Sequence, residues 1–303
     1  MQKNPISCSA SARMMVVFLM LGASVSVLSG CATKSTPNAG QSRSAVISAE
    51  RIAAIVGSPD RSAADRTNDI RRQPDKMLAF IGIRPGMTAM DLSAGGGYTS
   101  ELLARAVGPT GRVYGQSAPP NTSTAPRPPV TPEGAARPAA AAAAAAATAA
   151  PPPVRRSSSE LLAERNKNPA LGNIVPVVRK FEDPIPPEVS PGSLDLATLM
   201  FNYHDLGHLG VDRDRMNRAI FAALKPGGVY VIADHAGRAG TGISESGTLH
   251  RIEEAFLIRE VTAAGFKLDR QADFLRNPAD PRDKNTPDPA QPKDEFVVRF
   301  VKP

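Results

Sequence analysis

The chain has 303 residues, a formal net charge of +7, 29 prolines, no tryptophan and two cysteines, Cys8 and Cys31. That length suits one α/β domain with tails and an insertion. The modest cationic excess forms no cluster interleaved with aromatics, which argues against a nucleic-acid partner. With no cysteine beyond residue 31, a disulfide within the folded part is excluded, and stability must come from an ordinary apolar core.

In chain order, residues 1–30 come first, with Lys3, Arg13 and no acid. An apolar run M-M-V-V-F-L-M-L-G-A-S-V-S-V-L follows, and the segment closes L-S-G-C at Leu28–Cys31. A charged start, a short apolar core and small residues before a cut site read as an export signal. The run is shorter than the ~20 residues that a spanning helix needs. Its ending resembles a bacterial lipoprotein signal, which is cut before a cysteine that is then acylated. The resemblance implies lipidation of Cys31. With Ala32 rather than aspartate next, it implies a membrane partner at the periplasmic face of the outer membrane; soluble periplasm is the alternative. Residues 31–47 are then a small, polar tether.

From residue 48 to 303 the pattern is that of one folded domain. Helical spacing covers Ser48–Val56 and Ser62–Phe80, with Pro74 starting a new helix inside the second. Arg-Pro-Gly at 84–86 is a turn, Met87–Leu92 a short buried strand, and Tyr98–Val107 a helix with Leu102, Leu103 and Ala106 on one face. Arg112–Gly115 is the second strand. Residues 118–153 then narrow to Pro, Ala and Thr, including nine consecutive alanines at 139–147. Flanking prolines and the lack of large apolar residues predict a disordered surface insertion. A helix at Ser159–Asn166 and strands at Ile174–Val178 and Leu194–Leu199 follow. Next come a helix at Arg213–Leu224, a Lys-Pro-Gly-Gly turn at 225–228 and a strand at Val229–Ala233. A helix at Thr248–Ala264 and strands at Phe266–Asp269 and Glu295–Val301 complete the chain. Strands alternating with helices predict a mostly parallel sheet.

The stretch Met90–Ser100 reads M-D-L-S-A-G-G-G-Y-T-S. A Walker loop is excluded, because no Lys-Ser/Thr follows the glycines. A dinucleotide turn fits only in part, through Gly95, Gly97 and Ser100. The spacing D-x-x-x-G-x-G resembles the first motif of class I S-adenosylmethionine-dependent methyltransferases. R-P-G-M-T-A-M-D-L before it, L-K-P-G-G-V-Y-V-I at 224–232 and A-A-G-F at 263–266 resemble further segments of that family. F-N-Y-H-D at 201–205 and F-L-R-N-P-A-D-P at 274–281 resemble a group of exported methyltransferases. The likeness runs from Ser58 to the end, the insertion apart. It implies a doubly wound, Rossmann-like sheet of seven mostly parallel strands with the last antiparallel. It also implies S-adenosylmethionine as cofactor, bound by Asp91, Ser93, Gly95 and Gly97, with Gln116, Glu182 and Asn202 at neighbouring strand ends. One departure stands out. Gln116 lies where the family usually has an acid that grips both ribose hydroxyls, and an amide lacks that charge-assisted bond.

Polar residues gather at two strand ends, Asn202-Tyr203-His204-Asp205 and Asp234-His235, and all four histidines lie between 204 and 250. Tyr203, His204, Asp205 and His235 are the candidates to orient or deprotonate a small-molecule substrate. A metal at His204 and His208, four residues apart, with Asp205 and Asp234 supplying oxygens, needs a firm helix. Gly207 weakens one there, so no metal is expected. The function expected is methyl transfer to an unidentified small substrate; the alternative is a non-catalytic periplasmic binding lipoprotein on the same fold, with Gln116 as its sign.

Overall fold

A computed structural model describes residues 45–119, 156–287 and 291–303. The expected signal, Cys31 and all but residues 45–47 of the tether and 118–119 of the insertion lie outside the described residues. Everything described belongs to one unit, residues 43–303.

Helix α1 (Ala49–Val56) is capped by Ser48, and α2 (Ala63–Arg72) by Ser62. Each cap oxygen accepts a backbone N–H of the first turn, which would otherwise lack a partner. Gln73, at φ 42°, breaks α2 from α3 (Pro74–Ile81), so the proline does begin a separate helix. Then follow β1 (Thr88–Leu92), α4 (Tyr98–Val107) and β2 (Arg112–Ser117). After the undescribed segment, α5 (Ser158–Arg165) starts in a capping box between Ser157 and Glu160 and leads to β3 (Ile174–Val178). Strand β4 (Leu194–Met200), the single turn α6 (Asp205–His208), α7 (Arg213–Ala223) and β5 (Leu224–His235) come next. Helix α8 (Glu254–Ala263), β6 (Lys267–Ala272) and β7 (Glu295–Val301) close the fold.

The seven strands form one sheet in the order β3-β2-β1-β4-β5-β7-β6. Pairings among β1 to β5 are parallel, and β7 runs antiparallel to both its neighbours. This is the expected doubly wound, Rossmann-like architecture. Alternate residues supply the two apolar layers. Ala89, Val113, Leu196 and Val231 face the helices that include α1, α3 and α4. Met90, Tyr114, Ala197 and Ile232 face those that include α7 and α8.

Two boundaries differ from expectation. The Lys-Pro-Gly-Gly segment lies within β5 as an irregularity: Leu194 pairs with Leu224, but Leu196 already pairs with Val229. The helix expected from Thr248 starts only at Glu254, because Ile252 bridges to Ala236 and holds the chain extended beside the end of β5.

Candidate active site

The chain leaves β1 and β4 in opposite directions across the sheet, so the carboxyl ends of these neighbouring strands form the switch point where α/β folds hold ligands. The loop Ser93–Gly97 crosses this point. Ser93, Gly95 and Gly97 have φ of 53°, 54° and 83°, a left-handed conformation that only glycine adopts without strain. At Gly97 a second constraint applies. A Cβ there would lie 2.8 Å from both Leu162 Cδ2 and Arg165 Cδ, so α5 packs directly on the start of α4. At Gly96, by contrast, a Cβ would meet nothing within 4 Å.

Beneath the loop, Asp91 is 1% exposed. Its carboxylate accepts from Ser100 Oγ (2.6 Å) and Thr198 Oγ1 (2.8 Å). Burial pushes its pKa up to about 6, and the two hydroxyls only partly offset that. Gln116 is fully buried. Its Oε1 accepts from the Ser93 N–H at 3.0 Å, and its Nε2 donates to the Arg179 carbonyl at 2.7 Å. One end of the amide therefore ties the loop to β2, and the other ties β2 to the chain leaving β3. Arg165 clasps the loop from outside. Its Nε donates to the Gly96 carbonyl, and its other nitrogens pair with Asp65 (2.7 Å) and with Glu101.

Across the switch point, Asn202 joins the two halves of the site. Its Oδ1 accepts from Ser93 Oγ at 2.6 Å, and its Nδ2 donates to Asp205 Oδ2 at 2.9 Å. His204 is buried between two carboxylates. Its Nδ1 lies 2.6 Å from Asp234 Oδ1 and its Nε2 3.2 Å from Asp205 Oδ1. Burial alone would lower its pKa, but the two carboxylates outweigh it and raise the value to about 10. Asp205 is drawn the other way, to about 2: burial works against this, and His204 and His250 prevail. The four imidazoles form a row, His235–His204–His250–His208, with centroid separations of 5.2, 5.6 and 5.7 Å. At its inner end His235 meets Glu295 (3.0 Å) and the Phe201 ring, on which Arg71 and Arg72 stack.

The structure thus brings together Asp91, Ser93, Gly95, Gly97, Gln116, Asn202, His204, Asp205 and His235. Glu182 stands apart, half-buried in the loop after β3. Tyr203 requires a correction. Its side chain is buried in the opposite direction, where the hydroxyl accepts from Asn217 Nδ2 (2.9 Å) and donates to Glu260 (3.0 Å), itself paired with Arg213. Those partners lie on α7 and α8, so Tyr203 anchors the helix layer and does not face His204's carboxylates. Arg165 and His250 were not among the expected site residues. Arg165 is 69 positions from its partner Gly96, and His250 fell within an expected helix. A groove of about 490 Å³ at Arg51, Arg105 and Asn173 opens at the amino ends of β2 and β3, away from these groups.

No protein-family model and no curated protein matches this sequence. Among solved structures, an S-adenosylmethionine-dependent methyltransferase from Aquifex aeolicus is similar over 85% of this chain and 100% of its own. The TM-score is 0.51 and the identity 17%. A chain of the complex between the Haloferax volcanii Trm112 methyltransferase activator and the putative methyltransferase gives 0.50 and 16%, over 85% of this chain and 99% of that one. Likeness at this identity establishes the fold: the chain has the Rossmann-like methyltransferase architecture.

Proposed function

We propose that the protein is an S-adenosylmethionine-dependent methyltransferase acting on a small substrate. The observation that carries this reading is the left-handed Ser93–Gly97 loop, open at Gly96 and set over a buried carboxylate at the β1–β4 switch point. A buried, ionisable Asp91 costs stability, and a cationic ligand offsets that cost. The loop and Asn202 would hold the cofactor, which when bound supplies an activated sulfonium methyl. The chain's own task is then to align a nucleophile with it and to exclude water. His204, held between Asp234 and Asp205, orients groups and is no free base. Asp205, ionised and tied to the loop through Asn202, places negative charge beside that site.

Calorimetric titration with S-adenosylmethionine and S-adenosylhomocysteine tests the reading. Micromolar binding that disappears in Gly96→Trp, whose side chain would fill the open space over the loop, supports it. No binding to folded protein at millimolar ligand would overturn it.

The sequence at Leu28–Cys31 supports a lipid anchor on Cys31 at the periplasmic face of the outer membrane. Among the described residues no helix is long and apolar enough to cross a membrane. Cys31→Ser should move the protein from the membrane to the soluble fraction; unchanged membrane association would instead indicate an uncleaved anchor.

A further inference from the structure

The imidazole row has a carboxylate at its centre. Asp205 Oδ1 lies 2.9 Å from His250 Nδ1, 3.2 Å from His204 Nε2 and 3.8 Å from His208 Nδ1. Ligand atoms of His204, Asp205 and His250 all fall within 4.8 Å of one another. Ligands at ~2.0–2.1 Å from a tetrahedral ion stand roughly 3.3 Å apart, and the two distances from Asp205 Oδ1, 3.2 Å to His204 and 2.9 Å to His250, lie close to that. The third, between the two imidazoles, lies within 4.8 Å, and the His250 ring is half-exposed.

The surroundings fit a ligand set. Asp234 binds His204 twice, through Nδ1 (2.6 Å) and through the backbone N–H (2.7 Å). This leaves Nε2 pointing at Asp205, the outer-carboxylate arrangement that orients metal-binding histidines. His250 is held at φ 51°, a strained conformation for a non-glycine residue. The loop bearing it presses onto α6 closely enough that a Cβ at Gly207 would lie 2.7 Å from Ile243 and 2.9 Å from Ser246. Ser246 Oγ in turn accepts from the His208 N–H at 2.9 Å. Strain and close packing together hold His250 against a partner 45 residues away.

We propose that His204, Asp205 and His250 bind one divalent transition-metal ion of the zinc type. Two imidazoles with one carboxylate suit zinc and its neighbours, whereas magnesium and calcium prefer oxygen cages. Three protein ligands leave a coordination position for an anionic oxygen or sulfur. Asn202 ties Asp205 to Ser93, so the ion stands one residue from the glycine loop. Resting on the methyltransferase reading, that position takes the acceptor atom of the substrate.

The chain has four histidines in all, so untagged full-length protein, stripped with chelator and free of cofactor, can be titrated directly with Zn²⁺. One equivalent should bind and raise the melting temperature, and Mg²⁺ at the same concentration should not. His250→Ala, at a half-exposed position, should weaken zinc at least tenfold, and Asp234→Asn should weaken it by about 10–100-fold. Less than about a tenth of an equivalent of zinc per folded chain, or equal affinity in His250→Ala, would overturn the proposal. Because no cofactor is present, either result leaves the S-adenosylmethionine titration standing.

Discussion

Replacing Asp91 with asparagine is expected to stabilise the ligand-free protein at neutral pH while weakening the cofactor. Burial raises the carboxyl from 3.8 to about 6 although two hydroxyls donate to it. A rise of that size corresponds to about 3 kcal/mol for keeping the charge in the folded state at neutral pH. Between about pH 4 and 6 the folded carboxyl holds a proton that the unfolded one has released, so stability falls as pH rises through this window. It is greatest below the window and level above it. Asparagine resembles the neutral acid: Nδ2 donates to one hydroxyl and Oδ1 accepts from the other. The variant should therefore match wild type near about pH 4 and exceed it by about 2–3 kcal/mol at about pH 7.5. Urea unfolding followed by circular dichroism across this range measures the difference. A variant no more stable than wild type at neutral pH would refute the reasoning, since the buried charge would then cost nothing.

Other substitutions probe the same site. Gly97→Ala places a methyl 2.8 Å from Leu162 and Arg165 at a φ of 83°, and chemical unfolding should show a loss of about 3 kcal/mol; a loss under about 1 kcal/mol would mean α5 is not packed tightly there. Gln116→Glu puts an acid at this strand end, yet a carboxylate cannot donate to the Arg179 carbonyl. It should cost about 2 kcal/mol and leave cofactor affinity no higher by calorimetry. Tyr203→Phe removes the acceptor of Asn217, costing about 1–2 kcal/mol with kcat unchanged; a large fall in kcat with the fold intact would reinstate a catalytic role.

The sheet and its glycine loop were legible because their signals are local. Met87–Leu92 is a short apolar run bounded by Arg-Pro-Gly and by glycines, and β1 and its loop lie there. β2 and β4 follow turn residues in the same way, Gly-Pro-Thr-Gly at 108–111 and Ser-Pro-Gly-Ser at 190–193. The start of α8 was not legible, because the Ala236–Ile252 bridge outweighs the helical spacing of Thr248–Glu253. In the site, Asn202, His204 and Asp205 could be found as polar residues just past a strand. Tyr203 sits in the same run, but past the strand no alternation rule says which way a side chain turns, and its partners on α7 and α8 decided it. The Arg165 clasp and the His250 contact join residues 69 and 45 positions apart, and only folding reveals such pairs.

A crystal structure of the protein with S-adenosylhomocysteine tests the functional reading most directly. The ligand should lie along Ser93–Gly97 at the carboxyl ends of β1 and β4, in contact with Asn202. Ligand bound elsewhere on the fold, or none at saturating concentration, would contradict it.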